Sequence, residues 1–260
     1  MDEQIVAALK RIEAEESVRV LYACESGSRA WGFPSPDSDY DVRFIYVHHH
    51  DWYLSIDVEQ RRDVIERPIT DALDVAGWDI RKALQLFRRT NGALLEWLNS
   101  PVRYLEQGPF RRRLAGLAET TFDPRGLCYH YAHMARGNAR DFLGGDQVRY
   151  KKYLYVLRPL LGIRHLEATG ELPPVAFREL MDRVAPEALV PDIDALLLAK
   201  SHAGERETGP AVPALEAFIH DELARHETGF GGVTRPDVDR RPEVLDELNA
   251  IFRSVVKGET

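Results

Sequence analysis

The chain has 260 residues, of which 44% are hydrophobic and 29% charged, with a net charge of −8 and 2 cysteines. That length suits one large or two modest globular domains with a buried core, and the acidic balance excludes coating of nucleic acid by bulk attraction. Cys24 and Cys128 stand far apart outside any CxxC spacing, which excludes a disulfide framework or thiolate zinc site and leaves them as buried small hydrophobes.

The opening MDEQIVAALKRIEAEE reads as an acidic amphipathic helix over 3–15. It lacks the cationic flank and apolar core of a signal peptide, and no later run approaches the roughly 20 apolar residues of a spanning helix, so a cytoplasmic location is expected. VRVLYACE follows as a buried strand, then a Gly-rich turn, then YDVRFIYV as a second strand. His48, His49 and His50 are consecutive and cannot all face one ion; they read as a solvated strand end.

RDVIERPI and DALDVAGW are two further strand candidates, broken by Pro68 and Gly77. From Asp79 the period changes, with Ile80, Leu84 and Phe87 on one face of a helix that Asn91-Gly92 stops. In NGALLEWLNSP, Leu94, Leu95, Trp97 and Leu98 are expected to pack between a head and a helical domain, with Glu96 as an interior or capping partner. Beyond about residue 107 helical patterns dominate, punctuated by Pro and Gly at TFDPRG, GELPP, TGPAVP and TGFGGVTRP. The fold class expected is therefore α+β, a small mixed-sheet head over 1–106 followed by an α-helical, substrate-binding domain over 107–260. RRT at 88–90, RRR at 111–113 and RYKKYLYVLRP at 149–159 are the basic runs, and such runs read first as solvated helix faces.

The segment GSRAWGFPSPDSDYDVR at 27–43 stands apart. Aspartates are poor strand formers, yet Asp37, Asp39 and Asp41 alternate at the mouth of a strand, where alternate side chains share a face about 7 Å apart. Carboxylates so placed suit hard divalent cations, Mg²⁺ or Mn²⁺, completed by water and substrate phosphate. The turn at Gly27-Ser28 brings backbone N–H groups close to a phosphate and adds a hydroxyl donor. The competing reading is a polar turn, since Ser, Pro and Asp all favour turns.

This glycine-serine turn followed by a DxD strand resembles the nucleotidyltransferase signature of the DNA polymerase β superfamily. GSRAWGFPSPDSDYDVRFIYV, GWDIRKALQLFRRTNGALLEWLNSP and RYKKYLYVLRPLL more narrowly resemble the bacterial predicted-nucleotidyltransferase family, also described as the RNA repair pathway DNA polymerase beta family, over roughly 20–180. The resemblance implies a polymerase β-like head in which Asp39 and Asp41 are the metal-binding pair, Asp37 being a turn residue one step too early. It also implies a third carboxylate, for which Asp57, Asp63, Glu66, Asp71, Asp74 and Asp79 are in range. Leu73 and Val75 turn Asp74 to the opposite face beside Ala72 and Ala76, which makes Asp74 the preferred choice; Asp79 reads as the cap of the following helix.

Gly27, Ser28 and Arg29 are the candidate phosphate ligands, and Lys82 either reaches phosphate or lies on the surface. Lys151, Tyr155 and Arg158 fall along one helix face with Lys152 beside Tyr155, a pattern fit for base stacking and phosphate contact or for a core helix with snorkelling lysines. The expected activity is Mg²⁺-dependent transfer of a nucleoside monophosphate from an NTP to an acceptor hydroxyl, with an RNA end suggested by the resemblance. The rivals are a non-catalytic nucleotide sensor and a metal phosphohydrolase, the second supported only by His130 and His133.

Overall fold

The computed structural model describes residues 1–70, 72–142, 147–202, 208–234 and 241–259. The chain forms two compact units: one holds 1–27, 39–122 and the described residues from 241 onward, the other 28–38 and the described residues of 123–234. The single cut expected after residue 106 differs from this grouping in two ways. Residues 110–121 and the last helix join the sheet, and residues 28–38 join the helices.

The first unit begins with α1 (Asp2–Glu16), whose Ile5, Leu9 and Ile12 recur at helical spacing and are buried. Ser17, in the left-handed conformation at φ 52°, ends it. β1 (Val18–Glu25) pairs antiparallel with β2 (Tyr40–His48) on one side and with β5 (Arg103–Glu106) on the other. β2 runs parallel to β4 (Leu73–Asp79), and β3 (Val64–Glu66) closes the edge, giving the order β3-β4-β2-β1-β5. Alternation then sorts the side chains: Val42, Phe44, Tyr46 and Val75 join Val20, Ala23 and the α1 residues in one core. Asp41, Arg43 and Asp74 take the other face.

The helices of this unit are the short α2 (Gly27–Trp31), which starts in it, α3 (His50–Tyr53), α4 (Ile80–Arg88), α5 (Gly92–Leu98), α6 (Phe110–Thr121) and the terminal helix Arg241–Lys257. Gly77 does not break its strand as expected. It sits inside β4 opposite Phe44, where a Cβ would come within 2.3 Å of the Phe44 ring, so only glycine admits that ring. Asn91 does not cap the end of α4 but starts α5, its side chain accepting from the Leu94 N–H at 3.0 Å. The buried Trp97 stacks on Trp78 at 3.8 Å, and its carbonyl accepts from the Tyr22 hydroxyl at 2.7 Å, so the NGALLEWLNSP helix packs within the sheet unit itself.

The second unit contains α7 (Pro124–Phe142), α8 (Tyr150–Thr169), α9 (Phe177–Val184), α10 (Val190–His202) and α11 (Pro213–Arg225), with a small ribbon of β6 (Gln147–Arg149) and β7 (Thr208–Pro210). The terminal helix of the first unit is α12 in this order. The core of the second unit joins Leu154, Leu157, Leu161, Phe177, Ile193 and Ile219 to Phe33, contributed from residues 28–38. No helix among the described residues is long and apolar enough to cross a membrane.

Candidate active site

The parallel pairing of β2 with β4 sets Asp41 directly opposite Asp74, on one face of the sheet. Two adjacent carboxylates repel, and a cation lies between them. Arg43 Nη2 is 3.2 Å from Asp41 Oδ1 and 2.8 Å from Asp74 Oδ2, while its Nη1 donates to the carbonyls of Val42 and Asp74, each at 3.1 Å. The three side chains retain 19–29% of their exposure, so the group is open to solvent.

The backbone of Asp41 is held by a residue that the sequence reading passed over. Glu25, the last residue of β1 and 1% exposed, accepts from the Asp41 N–H at 2.8 Å and from the hydroxyl of Tyr104. The next residue, Ser26, donates its N–H to the Asp41 carbonyl at 2.8 Å. Gly27 follows at φ +61°, and a Cβ there would lie 2.2 Å from Asp41 Oδ2. The left-handed backbone favours glycine here, and a side chain in its place would push the Asp41 carboxylate aside.

Asp39 is exposed and immediately precedes β2, and Asp37 is exposed within the turn before it. Asp79 is five residues along both strands from the Asp41–Asp74 pair, about 17 Å at the rise of a strand. There it caps α4 through the Arg81 N–H at 2.8 Å and accepts from Tyr53 at 2.7 Å. Burial pushes its carboxyl up to about 6. Lys82 lies beyond that end of β4, paired with Asp63 at 2.9 Å. Asp57 pairs with Arg61, and Glu66 with Arg62; Asp71 lies outside the described residues.

The helical unit holds the residues that follow Gly27. Ser28, Ser35, Ser38 and Lys200 are all buried. Ser28 Oγ donates to Ser38 Oγ at 3.3 Å, the Ser35 N–H donates to Ser38 Oγ at 2.9 Å, and Lys200 Nζ donates to Ser35 Oγ at 2.7 Å. Arg29 Nη2 donates to the Ser38 carbonyl at 2.8 Å. Trp31 packs edge-on to Tyr155 at 5.2 Å and under the guanidinium of Arg158 at 4.5 Å, and Lys151 and Lys152 lie 5.4 and 5.7 Å from the Tyr155 ring. The structure therefore brings the predicted Lys151, Lys152, Tyr155 and Arg158 to the segment carrying Ser28 and Arg29. Arg158 is 4% exposed and packs on Trp31, so the core reading of that helix applies to it.

Asp41 and Asp74 present carboxylate oxygens to one cationic nitrogen from both sides, a hard-oxygen donor set that fits Mg²⁺ or Mn²⁺. Among the described residues no three acidic, histidine or cysteine side chains come together at metal-binding distance, and Asp39 is not gathered with the other two. The histidine run does not gather either: His48 stacks on Trp52 at 4.1 Å, and burial lowers its imidazole to about 4. A cavity of about 720 Å³ lined by Glu13, Arg19, His48 and Lys257 opens at the far end of β2 and includes none of the carboxylates above. Cys24 and Cys128 are free and buried, and burial pushes both thiols up to about 12.

Arg43 was missed, although its period-two spacing after Asp41 places it on the same strand face. Trp31 and Phe33 were missed too, their one signal being two aromatics directly behind the turn. Nothing local pointed from Glu25 to Tyr104 or from Ser35 to Lys200, pairs 79 and 165 residues apart.

The chain is 47% identical over 226 residues to the protein YcgL of Bacillus subtilis (strain 168), covering 86% of each chain. A crystal structure of a nucleotidyltransferase-like protein from Exiguobacterium sibiricum 255-15 aligns with 96% of this chain and 89% of its own at 13% identity and a TM-score of 0.30, too distant a likeness to carry an argument. The sequence of residues 1–254 matches a polymerase β-like nucleotidyltransferase family, and the chain belongs to that RNA repair pathway DNA polymerase beta family.

Proposed function

We propose that the protein transfers a nucleoside monophosphate from an NTP to the hydroxyl of an RNA end, releasing pyrophosphate. The observation that carries this reading is the facing pair Asp41 and Asp74, shared by one arginine nitrogen and abutted by Gly27. Asp41 and Asp74 would hold Mg²⁺ or Mn²⁺, joined by Asp39, two residues before Asp41, if its exposed side chain turns toward them; the ion when bound stabilises charge on the attacking and leaving oxygens. Asp74 is also the base offered to the acceptor hydroxyl. Glu25 and Gly27 fix the Asp41 backbone and carboxylate, the preorganisation that electrostatic catalysis requires. In the helical unit, Arg29 is the side-chain donor assigned to the triphosphate, since the buried Ser28 hydroxyl already donates to Ser38.

The test uses labelled NTP, Mg²⁺ and short RNA acceptors, with pyrophosphate as the readout. Wild type should extend or cap the RNA, and Asp41→Asn and Asp74→Asn should each lose about 10²-fold or more while melting as wild type does. Tight NTP binding with no pyrophosphate released would replace this reading with a nucleotide sensor. Release of free phosphate would replace it with a phosphohydrolase.

A further inference from the structure

The outward face of α7 is a second feature of the helical unit with chemistry of its own. Its exposed residues are Arg125, Tyr129, His133, Arg136 and Arg140, spaced by four, four, three and four. At 100° per residue these five fall within an arc of about 80°, and the stripe runs about 22 Å along the helix. Leu127, Cys128, Tyr131, Ala132 and Ala135 take the buried side. No acidic residue occurs from Pro124 to Arg140, in a chain with 42 acidic residues and only 34 Lys and Arg. The exposed side of α12, by contrast, carries Glu243, Asp246 and Glu247.

Arg125 and Arg136 form no ion pair among the described residues, unlike Arg164, Arg183 and Arg225, which line a cavity elsewhere in this unit but are held by Glu222, Glu179 and Glu167. Tyr129 is 52% exposed, and Phe230 props its ring edge-on at 4.9 Å and 89°. An exposed aromatic face between guanidinium groups is what stacking on an unpaired base and contact with its flanking phosphates require.

We infer that this face of α7 docks single-stranded nucleic acid, holding the acceptor strand by its phosphates through Arg125 and Arg136 and by a base stacked on Tyr129. The inference rests on the proposed transferase reading for the strand's role and on the stripe alone for its binding. A local cationic stripe reconciles such a partner with a net charge of −8, because phosphate contact depends on charge within a Debye length, about 8 Å at physiological salt.

The test is fluorescence anisotropy of a 5′-labelled twelve-residue oligo-uridine with the full chain carrying Asp41→Asn, without NTP, so that no turnover intervenes. Arg125→Ala/Arg136→Ala should weaken binding at least tenfold and flatten the salt dependence by about 1.4 in log–log slope, two phosphates at about 0.7 each. Arg125→Lys/Arg136→Lys should restore most of the affinity. Tyr129→Ala should weaken binding about fivefold or more while Tyr129→Phe retains it. These residues are exposed, so the variants should melt as the parent does. No binding by the parent chain, equal binding by the alanine variants, or displacement of the RNA by polyglutamate as readily as by unlabelled oligo-uridine would overturn the inference. Pyrophosphate release by the Asp41 chain, measured separately, decides the transferase reading independently.

Discussion

Asp41 and Asp74 became a pair through register, and Arg43 is the residue that makes their closeness tolerable. Side-chain alternation along each strand was legible, which is why Asp41 and Asp74 could be placed on their faces in advance. The pairing of Glu25 with Asp41 and Tyr104 was not, because it depends on which strands neighbour β1 rather than on any local pattern. Arg43→Met removes the bridging cation and two donors to backbone carbonyls. Because both carboxylates are partly exposed, the metal-free loss of stability should be only about 1–2 kcal/mol. Mn²⁺ should bind this variant several-fold more tightly than wild type and raise its melting temperature by more, since no guanidinium competes for the oxygens. Calorimetric Mn²⁺ titration checks this; equal or weaker affinity in Arg43→Met would show that Arg43 supports the ion rather than standing in its place.

Elements with a strong period were legible, and those governed by contact were not. α1, β1, β2 and α4 follow from apolar spacing, whereas Gly77 reads as a break until the Phe44 ring is seen against it. Asp79 illustrates a cap whose environment matters more than its position. It starts α4 as an N-cap should, but at 1% exposure, and burial raises its carboxyl from 3.8 to about 6. The folded chain therefore holds a proton that the unfolded chain releases between about pH 4 and 6. This group's contribution is full below pH 4 and is lost as pH rises through about 6, by roughly 3 kcal/mol at about 1.4 kcal/mol per pH unit. Asn is as good an N-cap, so Asp79→Asn should keep the helix and remove this slope, gaining stability over wild type at pH 7.5 but not at pH 4. Urea melts at the two pH values check it, and parallel curves for the two proteins would refute it.

At the scale of the molecule, the change from mixed to helical composition near residue 107 was visible, but composition does not say which core a helix serves. Phe110 and Leu114 of α6, and Leu248 and Ile251 of α12, are buried in the unit that carries the sheet, far from it in the linear reading. Residues 28–38 make the opposite move. Phe33 meets Phe177 edge-on at 5.5 Å within the helical core, and Ser35 accepts from Lys200, so residues 28–38 belong structurally to helices more than a hundred residues later. Phe33→Ala should cost about 3–5 kcal/mol, the usual range for truncating a buried aromatic. Because the lost contacts lie in that core, amide exchange should quicken across 150–202, in α8, α9 and α10, while β1 and β2 keep their protection. Exchange quickening instead through 18–25 and 40–48 would place Phe33 with the sheet, and the grouping of residues 28–38 with the helices would fail with it.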